Sequence, residues 1–148
     1  MGCLALSLVT GCSKGPIGSL RPHRTAEINL HRSGCFSSVN YHFTFVRDAA
    51  KRVSVTIIET RNPGSRDNEK ASVYEGTLSD AEEKAIDSEL AEAAATPEGG
   101  CTSQDRFDVS APGTFGSVKR SQFEDSSCSR RARGLEHLTE VHPNWRRP

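Results

Sequence analysis

Aromatic residues are scarce in this chain, with one Trp, two Tyr and six Phe among 148 residues, and the apolar share is only 34%. A large core is therefore excluded, and the length leaves room for one small domain rather than two. An excess of charge of either sign is also missing, because 19 Lys and Arg balance 19 Asp and Glu. That balance removes the whole-chain electrostatic case for nucleic acid or for an anionic membrane surface as a partner, leaving only local charge to matter. No apolar run approaches the ~20 residues that a helix needs to cross a bilayer. The G-x-S-x-G, Walker, G-x-G-x-x-G and H-E-x-x-H patterns are all absent, so the sequence indicates no catalytic residue and no cofactor. Its many carboxylates are expected on the solvent side of a capped helix, a poor setting for raised pKa values.

The organising stretch is Leu8-Val9-Thr10-Gly11-Cys12, which closes an apolar run from Leu4 and sets small residues before a cysteine. It resembles the lipobox of bacterial lipoproteins. The resemblance implies that residues 1–12 are a signal peptide ending at Cys12 and that Cys12 becomes the acylated first residue of the mature protein. It also implies that acyl chains hold the protein in a bacterial cell envelope. Ser13 stands where an aspartate signals inner-membrane retention in enterobacterial lipoproteins, so the resemblance implies the outer membrane, facing the periplasm. The leader has no Lys or Arg ahead of its apolar run, so either the true start lies further upstream or the match is accidental. The alternative acylation signal, at Met1-Gly2-Cys3, wants Ser or Thr at position six, where the chain has Leu6.

Residues 13–25 (SKGPIGSLRPHRT) carry two glycines and two prolines without periodicity and read as a flexible tether. Fully extended, they would reach at most about 45 Å. From Ala26 the pattern has period two. Ile28 and Leu30 alternate with polar residues, then Val39, Tyr41, Phe43 and Phe45, then Val53, Val55 and Ile57, the last two runs joined by Asp48-Ala49-Ala50-Lys51 as a hairpin. A short strand is expected near Val73 to Leu78. Ser79-Asp80-Ala81-Glu82 is a capping box, opening a helix whose Ile86, Leu90, Ala93 and Ala94 form one apolar stripe before Pro97 and Gly99-Gly100 end it. Cys101 to Val109 and Phe115 to Phe123 read as a final hairpin. The expectation is an α+β domain over residues 26–133: an antiparallel sheet of about five or six strands with one helix packed on one face. Residues 134–148 read as a basic tail with one short helix near Leu135 to Val141. Arg130, Arg131 and Arg133, with Arg146 and Arg147, make a basic C-terminal cluster, more in keeping with a solvated tail than with a headgroup site.

Five cysteines exceed what a reduced cytosolic protein usually carries. With Cys3 in the leader and Cys12 acylated, Cys35, Cys101 and Cys128 remain. Cys101 and Cys128 bracket the final hairpin. A turn near Thr114 puts them within one residue of opposite positions, so a Cys101–Cys128 disulfide is expected with Cys35 left free. Closing a loop of about 27 residues stabilises a domain by roughly 3–4 kcal/mol in the chain-entropy account.

His31, Cys35 and His42 form the one cluster with metal-ligand chemistry, H-x3-C-x6-H, with no fourth ligand at metal spacing. Both histidines fall on the polar faces of their strands. The run Ile28, Leu30, Arg32, Cys35, Phe36 (I-x-L-x-R-x-x-C-F) resembles the opening of a small bacterial domain family of unknown function, which implies a hairpin and a later capped helix. That family has a second cysteine where this chain has Val39. Three readings follow. The first is a non-enzymatic envelope lipoprotein whose domain binds an envelope partner. The second is a small periplasmic hydrolase or metal-binding protein using His31, Cys35 and His42. The third is an inhibitor-like binding module.

Overall fold

A computed structural model describes residues 14–34, 38–62, 70–95, 103–113, 117–126 and 133–148. Alternating side chains impose the sheet, because only an extended chain can put Ala26, Ile28 and Leu30 on one face and Glu27, Asn29 and His31 on the other. The strands are β1 (Thr25–Ser33), β2 (Ser38–Arg47), β3 (Val53–Asn62), β4 (Lys70–Thr77), β5 (Gln104–Pro112) and β6 (Val118–Asp125). They form one six-stranded sheet in the order β4-β3-β2-β1-β5-β6, every pairing antiparallel. The fold is α+β, as the periodicity predicts, and the described residues hold two α-helices, α1 (Asp80–Ala95) and α2 (Arg133–Val141), the second where the short C-terminal helix is expected.

Register concentrates the large side chains at the centre. Phe43 lies between Ile28 of β1 and Ile57 of β3, and all three are fully buried. Tyr41, Phe43 and Phe45 stack along β2 with ring centroids 5.9 and 6.1 Å apart. Each such side chain contributes about 1.5–3 kcal/mol through removal from water. The Ile86, Leu90 and Ala93 stripe of α1 covers them, and Leu135 and Leu138 of α2 extend the core.

The capping box forms as expected. The Ser79 backbone N–H donates to Glu82 Oε2 at 2.7 Å, and the Glu82 N–H donates to Ser79 Oγ at 3.3 Å. In the β2–β3 turn the Asp48 carboxylate accepts the Arg52 N–H at 2.9 Å, and Lys51 turns the chain at φ 67°, in the left-handed region.

Two segments depart from expectation. The stretch read as a tether is packed from Lys14 onward, with Ile17 and Leu20 in the core. The C-terminal stretch read as a tail is also docked. Beyond α2, Trp145 lies against Gly76 so closely that a Cβ there would fall 1.9 Å from Trp145 Cε2. The ring also stacks on His142 at 3.9 Å. Arg146 forms an isolated antiparallel bridge with Tyr74, and the Arg147 N–H donates to the Val73 carbonyl at 2.8 Å. These contacts cover part of the β4 edge, which would otherwise present unpaired backbone groups.

Candidate binding sites

The amino-terminal segment is held from two sides. The backbone N–H groups of Ile17 and Gly18 donate to the two carboxylate oxygens of Asp87 on α1, at 3.0 and 2.7 Å. From β2, Arg47 donates to the Ile17 carbonyl at 3.2 Å and to Glu83 Oε2 at 2.7 Å. The turn can approach α1 this closely because it is built on glycine. A Cβ on Gly15 would fall 2.4 Å from Asp87 Cγ, and one on Gly18 2.9 Å from Asp87 Oδ2.

Docked in this way, the segment forms one wall of a groove of about 1070 Å³ whose other walls are α1 and β5–β6. Leu20, Leu90, Ala94, Val109 and Phe123 give it an apolar lining. The Phe123 ring is only half-buried, stacked on Phe107 at 4.9 Å. Charge is unevenly spread along α1, where Asp80, Glu83 and Lys84 of the first turns line the groove near one end and Ala91 and Ala94 near the other. Ten residues of α-helix span about 15 Å, so the groove is elongated.

The open face of the sheet carries the two histidines named by the metal reading. His42 Nδ1 donates to Asn29 Oδ1 at 2.6 Å, which leaves Nε2 of the neutral ring as acceptor for the Thr44 hydroxyl at 3.3 Å. His31 Nδ1 donates to Asn40 in the same manner, so the two pairs cross between adjacent strands. Asn29 stands between His42 and Asp108, whose Oδ1 is buried without a hydrogen-bond partner among the described residues. A shallow depression of about 230 Å³ lies over this row, with Ile58 exposed beside it. Among the described residues no group of three or more His, Cys, Asp or Glu is arranged to hold a metal ion. Cys35 lies outside the described residues, as do Cys12, Cys101 and Cys128.

A buried ionic cluster closes the Ser33 end of β1. Arg32 makes a two-pronged pair with Asp105, Nε to Oδ1 at 2.8 Å and Nη2 to Oδ2 at 2.7 Å, and its Nη1 meets Glu136 of α2. These hydrogen bonds, Asp105 first, raise the guanidinium above its ordinary range. Burial, then the charge of Glu59, pushes the Tyr41 hydroxyl up to about 12. The arginine of the I-x-L-x-R-x-x-C-F run is thus a structural cation tying β1 to β5 and α2.

No known family model matches the sequence, and no curated protein does. Among the described residues no helix is long and apolar enough to cross a membrane.

Sequence reasoning missed the groove because Asp87, its organiser, reads as one more solvent-facing acid of α1. Two other carboxylates of that helix also depart from the expected solvated face. Glu83 is buried against Arg47. Burial raises the Glu89 carboxyl, an effect only partly offset by the Gly134 N–H that it accepts.

Proposed function

We propose that this protein is a non-enzymatic lipoprotein of the bacterial envelope, anchored through Cys12, whose domain works as a binding module close against the membrane. The observation that carries this reading is the docked amino-terminal segment. Lys14 already lines the groove, and only Ser13 separates it from Cys12. Two residues of chain span at most about 7 Å. Acyl chains on Cys12 therefore hold the domain beside the bilayer, not at the end of a 45 Å tether. Two fatty chains, each buried methylene adding about 0.8 kcal/mol, make such an attachment effectively permanent.

The test is metabolic labelling. The gene, with its upstream flanking sequence, is expressed in a bacterial host as wild type and as Cys12→Ala, and labelled palmitate should enter only the wild type. Absence of label from both, with both proteins soluble, would show that the lipobox match is a coincidence.

A further inference from the structure

We infer that the groove between the amino-terminal segment, α1 and β5–β6 takes one acyl chain of a lipid with an anionic headgroup, drawn from the membrane on which the domain is held. The shape fits a chain, since the groove is elongated, partly open to solvent and floored by apolar side chains such as Leu20, Leu90, Val109 and Phe123. Its charge fits an anion. Five cations and three carboxylates line it in a protein whose formal net charge is +0.

Two of the three carboxylates are committed. Glu83 is bonded to Arg47, Asp87 holds the backbone of Ile17 and Gly18, and Asp80 sits in the first turn of α1. Among the described residues Lys14, Arg21, Lys51 and Lys84 have no ion-pair partner, and all four side chains are exposed. Desolvated contact with Leu20, Ala94 and Phe123 would supply affinity for the chain, and the unpaired cations a charge-assisted grip on a phosphate headgroup. A neutral headgroup would gain only the first.

The source of the lipid rests on the membrane-anchored reading, whereas the binding itself does not, so the two can fail separately. The probe is a single-chain lysophosphatidylglycerol, compared with the lysophosphatidylcholine of equal chain length. Both are used below their micelle concentrations and titrated calorimetrically into the full chain carrying Cys12→Ser. Saturable one-to-one binding is expected, at least tenfold tighter for the anionic lipid. Ala94→Trp, at an exposed groove position, should abolish binding of both lipids. Lys51→Glu with Lys84→Glu should remove the preference while leaving the thermal midpoint unchanged.

Absence of saturable binding, which would follow if another part of the chain fills the groove, overturns the proposal. Equal affinity for the two lipids also overturns it, as does binding that survives Ala94→Trp in a folded protein. Binding by Cys12→Ser but not by the acylated wild type would assign the groove to the protein's own acyl chain and likewise overturn it. None of these outcomes bears on palmitate labelling of Cys12, which tests the anchor alone.

Discussion

Gly18 and Asp87 are joined by a 2.7 Å hydrogen bond from the backbone N–H of one to the carboxylate of the other, across 69 positions of sequence. With the parallel bond from Ile17 at 3.0 Å, it converts a Gly/Pro-rich stretch into a wall of the groove. Asp87→Ala removes both acceptors and should cost about 1–3 kcal/mol, as for hydrogen bonds to a charged group. Hydrogen exchange reads this locally. The Ile17 and Gly18 amides should be protected in the wild type and exchange freely in the variant, while the Phe43 amide stays protected. Equal exchange in both proteins would mean that Asp87 does not hold the segment.

The pairing of Arg32 with Asp105 gives a second prediction. Both side chains are at most 9% exposed, so removing one partner strands a buried charge. Arg32→Ala should cost about 3–5 kcal/mol, whereas Arg32→Met combined with Asp105→Leu should cost much less, since a buried pair often does no better than an apolar one of similar volume. Denaturant unfolding of the two variants checks the order. A double variant less stable than Arg32→Ala would contradict it.

Acid sensitivity should divide between two glutamates of α1. Burial by itself raises the Glu82 carboxyl, but the hydrogen bonds from His142 and Ser79 outweigh it and hold the group below its ordinary range. Its folded pKa therefore lies below its unfolded one. The ionised group contributes stability above the ordinary carboxyl range, and this is lost as pH falls through the folded value. Glu89 is shifted upward by burial, so its contribution is present below the ordinary range and lost as pH rises through the folded value. At pH 7 Glu82→Gln should lose up to about 1 kcal/mol and show a shallower acid decline. Glu89→Gln should gain stability at the same pH. Thermal midpoints from pH 3 to pH 8 measure both, and opposite signs at pH 7 would reverse the assignment.

A disulfide between Cys101 and Cys128, flanking β5 and β6 in the sequence, is a further prediction. The ladder of these strands runs from Pro112↔Val118 to Asp105↔Asp125, and in the sequence Cys101 comes four residues before Asp105 and Cys128 three after Asp125, both outside the described residues. Thiol counting on the denatured mature protein with Cys12 replaced should find one free thiol before reduction and three after. Three before reduction would rule out the pairing.

The sheet was readable because its cause is local. Alternation in Ile28-Asn29-Leu30 or Tyr41-His42-Phe43 identifies the buried face without knowledge of the partners, and Ser79 with Glu82 marks the start of α1 within four residues. Among the alternating apolar residues of β1, β2 and β3 named above, Val39 is the one left only partly buried, because β2 has just begun there. The groove was not readable, since its wall is made by a carboxylate far along the chain acting on backbone amides. Ile17 and Leu20 are too few apolar residues to set a period amid glycine and proline. The C-terminal docking was hidden for a related reason. Trp145 needs the bare surface of Gly76, and a lone glycine in a strand pattern does not announce what will cover it.

By holding the amino-terminal segment, Asp87 would keep the proposed link to an acylated Cys12 short, and the sole tryptophan, Trp145, reports on it. Acylated wild-type protein and its Asp87→Ala variant are reconstituted into vesicles bearing a dansyl-labelled headgroup, and energy transfer from Trp145 is measured. Clear transfer is expected in the wild type and a marked fall in Asp87→Ala, where the freed segment of 13 residues can extend to about 45 Å. Equal transfer in the two proteins would contradict it.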